Sequence, residues 1–161
     1  MKKFDFKSLS SASKEELILL SDTYFDAKII DSPRARFSDL SIAEQEEIFS
    51  FYRSGKFLKI LSDGGLVGFV GHGVKKESDA IVIFYILLPE FRGKGLFLPI
   101  IDAFSMWCLE KYPDKKFFIA NTEKSNVASI KALRRAGFEL LEEKIDGPDP
   151  GRKVPFLCFR M

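Results

Sequence analysis

The chain has 161 residues, enough for one domain that buries a sizeable core without disulfide or metal staples. Its 46% apolar and 30% charged residues, at a net charge of +2, exclude a disordered charged tail and a generally basic nucleic-acid coat. Two cysteines with no C-x-x-C pair and a single histidine exclude a disulfide scaffold, a zinc ribbon and most histidine-based metal sites, so no metal is expected.

Met1 to Leu9 carries lysines with no apolar stretch behind them. The longest apolar run, Ala80 to Pro89, is far short of the ~20 residues of a membrane helix, so neither a signal peptide nor a span is expected and the cytoplasm is the default. Lys3 to Leu9 alternates loosely as a first strand. Ser13-Lys-Glu-Glu16 forms a capping box ahead of Leu17, Leu20 and Tyr24 at helical spacing. A Pro-containing loop from Asp31 to Leu40 carries Arg34 and Arg36. A second capping box, Ser41-x-x-Glu44, opens a helix with Ile48, Phe49 and Tyr52 on one face, and Gly55 stops it.

The period then changes. Phe57 to Leu61 and Leu66 to Val74 flank Asp63-Gly64-Gly65, a hairpin signal. Ala80 to Leu88 is almost all β-branched, aromatic or aliphatic and reads as a central strand buried on both faces. Leu96 to Tyr112 is a helix with Leu96, Ile100, Phe104, Trp107 and Cys108 as its buried stripe. Lys116 to Ala120 is a strand. Asn126 to Ala136 is a helix with Val127, Ile130 and Leu133 inward and Lys131, Arg134 and Arg135 outward. Gly137 stands at its left-handed C′ position. Phe138 to Ile145 and Val154 to Phe159 close the chain around the turn-rich segment Asp146 to Gly151. The order of elements predicts a mixed α/β sheet. The abundance of phenylalanine, 17 in all, predicts a core filled with aromatic bulk.

The segment that carries chemistry is Leu87-Leu-Pro-Glu-Phe-Arg-Gly-Lys-Gly-Leu-Phe97, in which a buried strand ends at Pro89 and a basic, Gly-rich turn leads into a helix. Gly93 and Gly95 let backbone approach a ligand without a Cβ. The amides of Lys94, Gly95, Leu96 and Phe97 are expected at the positive helix N-terminus, and Arg92 and Lys94 add charge, which makes an anion nest suited to a pyrophosphate. Neither a Walker A loop nor a Rossmann G-x-G-x-x-G is present. A plain strand–turn–helix connection has the same local wording.

Arg92-Gly-Lys-Gly95-Leu-Phe97 resembles motif A of the GNAT superfamily of acyl-CoA-dependent N-acyltransferases, [QR]-x-x-G-x-[GA]. Asn126-Val-Ala-Ser129-Ile-Lys-Ala-Leu133-Arg-Arg-Ala-Gly137-Phe138 resembles a second stretch of that family, in the family's order and spacing. The resemblance implies a single domain over residues 1–161, with a central, mostly antiparallel seven-stranded sheet, four helices, and a split between the fourth and fifth strands. It implies acetyl-CoA or another acyl-CoA as co-substrate, lying between Ala80–Leu88 and Lys116–Ala120. Its arm would meet backbone near Leu87, its pyrophosphate would lie on Lys94 to Phe97 beside Arg92 and Gly93, and Asn126 and Ser129 would belong to the same site. An amine, a small molecule or a protein N-terminus, would attack the thioester directly, with no covalent enzyme intermediate. Edge strands in this fold often pair, which leaves a homodimer open; the sequence does not settle the oligomeric state.

Two positions depart from the family. Phe97 stands where Gly or Ala is usual. Leu133 stands where many members carry a Tyr that protonates the leaving thiolate, and its helical spacing reads as core. The general base is not legible. Tyr85 is the only polar side chain of the central strand, and the alternative is a structural phenol. His72 titrates in the right range but lies between Gly71 and Gly73 on a hairpin strand, where edge exposure is the alternative. Asn121, just past a strand end, could hold water or an acceptor carbonyl, or do nothing. Glu123 reads as solvated and Asn126 as a helix N-cap, a pantetheine contact or both. Cys108 and Cys158 read as core, with no histidine partner for a thiol mechanism. Arg34 and Arg36 either recognise an acceptor carboxylate or phosphate or belong to a solvated loop. A competing function is an acyl-CoA-binding module of regulatory or partner role with little or no turnover. Nucleic-acid binding through Lys131, Arg134 and Arg135 is disfavoured by a near-zero net charge.

Overall fold

In the computed structural model, residues 3–24, 37–74, 76–145 and 156–161 are described. The chain order is β1 (Phe4–Ser8), α1 (Lys14–Tyr24), α2 (Ile42–Tyr52), β2 (Phe57–Ser62), β3 (Gly65–Val74), β4 (Ala80–Leu87), α3 (Phe97–Lys111), β5 (Phe117–Glu123), α4 (Val127–Arg135), β6 (Glu139–Lys144) and β7 (Phe156–Arg160). Short 3₁₀ turns at Phe37–Asp39 and Pro89–Phe91 complete it. The seven strands form one sheet in the order β1-β2-β3-β4-β5-β7-β6. This is the α/β architecture predicted above, with β4–β5 a parallel pair and β1–β2, β2–β3, β5–β7 and β6–β7 antiparallel. Arg34, Arg36, the turn from Asp146 to Gly151 and the predicted strand start at Val154 lie outside the described residues.

The chain divides into two units, Met1–Gly71 with Tyr85–Leu96, and His72–Phe84 with Phe97–Met161. In the first, both capping boxes form. The Ser13 amide donates to Glu16 Oε2 at 3.1 Å while the Glu16 amide donates to Ser13 Oγ at 3.2 Å. Ser41 and Glu44 repeat the exchange at 2.8 and 3.3 Å, which fixes where each helix begins. Leu17 and Leu20 are fully buried, and Phe37, Phe49, Tyr52 and Phe57 supply the aromatic bulk. Phe37 meets Phe49 in a tilted contact at 5.3 Å and Tyr52 meets Phe57 edge-on at 5.2 Å. The hairpin turn is the two residues Asp63 and Gly64, at φ 50° and 79°, the left-handed pair of a type I′ turn that matches strand twist.

In the second unit, Ile100, Ile101, Phe104 and Cys108 are the buried face of α3, while Trp107 is half-buried. Helix α4 ends in a Schellman arrangement. The Phe138 amide donates to Leu133 O at 3.0 Å, the Gly137 amide to Arg134 O at 3.1 Å, and Gly137 takes φ 88°. Leu133 is fully buried, as its spacing predicts, and Lys131, Arg134 and Arg135 are exposed. Val127 corrects the predicted stripe, being 56% exposed. Successive steps of three residues precess by about 60° around a helix, so a stripe centred on Leu133 has turned away by the time it reaches Val127. The edge strand β6 is exposed along its whole length.

Candidate active site

One set of candidate residues lies in the first unit, at the end of β4 and in the turn that follows, residues Leu87 to Leu96. Gly68 of β3 sets its backbone. A Cβ at Gly68 would lie 2.3 Å from Ile86 O and 3.0 Å from Leu87 Cα, so only glycine lets the two backbones meet this closely. Next to it, the Leu88 amide donates to Val67 O at 3.0 Å. The Phe91 amide then donates to Leu88 O at 2.9 Å and the Arg92 amide to Pro89 O at 3.3 Å, closing the 3₁₀ turn. The Arg92 side chain folds back, its Nε donating to Leu87 O at 2.9 Å. Lys94 lies over the Phe91 ring at 5.9 Å. Gly93 and Gly95 take φ 68° and 70°, and a Cβ at either would meet nothing within 4 Å. Their requirement for glycine is therefore conformational, and the space beside them is open.

Helix α3 begins at Phe97, one to two residues later than the sequence reading placed it, which changes the set of donors. The first-turn amides are those of Leu96, Phe97 and Leu98, while Lys94 and Gly95 belong to the loop before them. Pro99, third in the helix, has no N–H to contribute. Phe97 is half-buried. A loop with open space beside two left-handed glycines, a lysine, and a helix N-terminus is a fit for a diphosphate.

A separate set of candidate residues lies on β5 and at the start of α4, in the second unit. The strand runs to Glu123, three residues past its predicted end, because β7 pairs with it from Ile119↔Arg160 to Glu123↔Phe156. Tertiary pairing has overridden the weak strand propensity of Asn121-Thr122-Glu123. Asn121 is thus an exposed residue within the strand, opposite Cys158, rather than a loop residue. The parallel pairing of β4 with β5 runs from Ala80↔Phe117 to Ile83↔Ala120, so Asn121 is the first residue of β5 beyond it. Glu123 corrects the sequence reading. It is 9% exposed, with Ser125 Oγ 3.5 Å from its Oε2. Asn126 is the N-cap of α4, its Oδ1 accepting from the Ser129 amide at 3.1 Å.

His72 is not at an exposed edge. It is 5% exposed, its Nδ1 is 2.9 Å from the Tyr112 hydroxyl, and its ring lies 5.1 Å from Trp107 and 6.5 Å from Phe104. Burial, and then the neighbouring Cys108, raise the Tyr112 phenol above its usual range, so it keeps its proton. At about 1.5 Å per residue, these partners lie roughly 10–22 Å along α3 from its start. Tyr85 is half-buried in β4. Burial pushes the Cys108 thiol up to about 12 and raises Cys158 as well, which removes both as nucleophiles at neutral pH. Among the described residues no cluster of three or more histidine, cysteine or acidic groups could hold a metal, and no helix is long and apolar enough to cross a membrane.

Gly68, Tyr112 and Glu123 were not singled out by sequence for these roles. An isolated Gly inside a strand pattern is the signal that could have found the first. Residues 19–139 match the family model of the acetyltransferase (GNAT) domain. No curated protein matches the sequence at a significant level. Among solved structures, the chain is similar to spermidine N-acetyltransferase from Vibrio cholerae in complex with CoA and spermine. Their TM-score is 0.73 at 14% identity, covering 98% of this chain and 94% of that one. It is similar to RimL, a ribosomal L7/L12 α-N-protein acetyltransferase in complex with coenzyme A, with a TM-score of 0.71 at 17% identity over 98% and 93% of the two chains. It is similar also to the ribosomal-protein-S5-alanine acetyltransferase from Vibrio fischeri, with a TM-score of 0.67 at 14% identity over 99% and 92%. At these identities the likeness is one of fold.

Proposed function

The chain belongs to the GNAT acetyltransferase family, and from that premise we propose that residues 1–161 form one N-acetyltransferase domain. It moves an acetyl group from acetyl-CoA to a primary amine by direct attack in a ternary complex. The observation that carries the reading is the open turn Gly93-Lys94-Gly95 leading into the N-terminus of α3. In this reading the backbone amides from Gly95 onward and the Lys94 ammonium hold the diphosphate, with Arg92 and Gly93 shaping the turn. Backbone at Leu87 meets the pantetheine arm, and Asn126 and Ser129 contribute from the start of α4.

The amine nitrogen attacks the thioester carbonyl carbon, the C–S bond breaks, and the thiolate leaves with a proton that the ammonium ultimately supplies. Positioning and polarisation of the carbonyl carry most of the acceleration. Tyr85 and Asn121 are the proposed polar contacts at the reacting end. Of the three catalytic candidates, His72 receives a packing role instead, because Tyr112 engages Nδ1 and the ring is buried. The buried thiols of Cys108 and Cys158 support direct transfer over an acyl-cysteine.

The acceptor is a small amine or a protein N-terminus. The neighbours of similar fold include one acting on spermidine and two acting on ribosomal proteins. Arg34 and Arg36 are proposed to recognise an acceptor carboxylate or phosphate. Alanine at both should raise the acceptor KM, and an unchanged KM would remove them from the site. The test of the whole reading is incubation with acetyl-CoA and a panel of polyamines and short peptides, following thiol release. Amine-dependent release is expected. Tight binding without release for any amine would favour the acyl-CoA-holding module, a reading to which the fully buried Leu133, in place of a tyrosine, lends support. Absence of coenzyme A binding in calorimetry would sink both.

A further inference from the structure

The Leu87–Leu88 peptide is gripped at both of its polar ends. Its carbonyl accepts from Arg92 Nε at 2.9 Å and its amide donates to Val67 O at 3.0 Å. Gly68 brings β3 backbone against this stretch so closely that no side chain fits between. The five-residue return from Leu87 to Arg92 is further closed by the 3₁₀ hydrogen bonds from Phe91 and Arg92. We infer that Arg92 is a positioning residue, a clasp that fixes the last peptide of β4 and the entry to the Gly93–Gly95 turn, and that Lys94 supplies the cationic contact to the diphosphate.

The chemistry favours this division. A guanidinium N–H donated to a carbonyl is a charge-assisted bond, stronger than a neutral one, and half-burial shields it from competing water. Lys94 is exposed, on a compact flexible ammonium, with open space at the glycine on each side. The clasp requires a side-chain N–H at position 92; the charge strengthens that bond, but a neutral amide N–H at the same distance along the side chain can still make it. A neutral side chain that donates an N–H can therefore replace arginine, whereas a phosphate ligand would need the charge.

The consequence for ligand recognition rests on the acyl-CoA reading above. If Arg92 shapes the turn, its loss harms binding of the arm and of the diphosphate together. If Arg92 were a phosphate ligand, its loss would harm only ligands that carry phosphate. The experiment therefore measures Kd for coenzyme A and for pantetheine, which lacks the diphosphate, in wild type, Arg92→Ala, Arg92→Gln and Lys94→Ala. Arg92→Ala should weaken both ligands by the same factor, about ten-fold, and Arg92→Gln should restore both to within about three-fold of wild type. Lys94→Ala should weaken coenzyme A alone, by about five-fold.

A ligand-free measurement separates failure of the clasp from failure of the acyl-CoA reading. Native-state hydrogen exchange at the Leu88 and Phe91 amides should accelerate about ten-fold in Arg92→Ala and return toward wild type in Arg92→Gln. Unchanged exchange in Arg92→Ala overturns the clasp whether or not coenzyme A binds. Loss of coenzyme A affinity in Arg92→Ala with pantetheine affinity intact, or failure of Arg92→Gln to rescue, overturns it too. Accelerated exchange in a protein that binds neither ligand leaves the clasp standing and removes the acyl-CoA reading.

Discussion

Two glycine-dependent regions of the first unit need their glycine for opposite reasons. At Gly68 the space is filled, since any Cβ would collide with the Ile86 carbonyl oxygen at 2.3 Å. At Gly95 the space is open and the backbone angle is the constraint, φ 70° with nothing within 4 Å of a Cβ. The first is a close approach of two strands, which makes a rigid floor. The second is a left-handed turn with room beside it, where the proposed diphosphate would lie. A sequence pattern that marks both simply as glycine hides the difference between scaffold and site.

Substitution separates the two regions. Gly68→Ala forces backbone to shift and should cost about 3 kcal/mol, read as a large fall in Tm or in the denaturation midpoint. Gly95→Ala should cost only about 1–2 kcal/mol, the strain of a left-handed alanine, while weakening coenzyme A well beyond its effect on stability. Equal stability losses at the two sites would break the contrast.

A smaller effect concerns the first unit's scaffold. The hydrogen bond from Lys59, opposed by burial and aided by the Ser13 amide, holds the Glu16 carboxyl below its usual range. A carboxylate depressed on folding stabilises above its unfolded pKa, and that contribution is lost as pH falls through the lower folded value. Glu16→Gln should therefore lower stability by about 0.5 kcal/mol at pH 7, with the difference from wild type shrinking below about pH 4. Urea titrations at pH 7 and pH 3 measure it, and a difference independent of pH would refute the linkage. The smallest effect is chemical. With its thiol pushed up to about 12, Cys108 should resist iodoacetamide at pH 8 in the folded protein and react once it is denatured, as mass spectrometry would read.

The elements were largely legible because their signals are local. Both capping boxes, the Asp63-Gly64 turn and Gly137 are short-range chemistry, and each forms where the residues say. The loop of the candidate site was legible for the same reason. What escaped was set by partners distant in sequence. Asn121 to Glu123 extend β5 only because β7 lies beside them, and nothing within those residues announces it. His72 looks like an exposed hairpin residue until Tyr112, forty positions away, takes its Nδ1. The donor set at α3 shifted because Pro99 is tolerated anywhere in a first turn, so the helix start could not be fixed to the residue.

The lone histidine of this chain, buried beneath α3, has a practical consequence. Its imidazole gives one set of C–H resonances in a proton spectrum, unobscured by any other of its kind. Ring currents from the indole and phenol beside it make those chemical shifts sensitive to small movements of the helix. The protein thus carries a built-in spectroscopic reporter, with no label to attach, that can register whether events at the far end of that helix are felt in its interior.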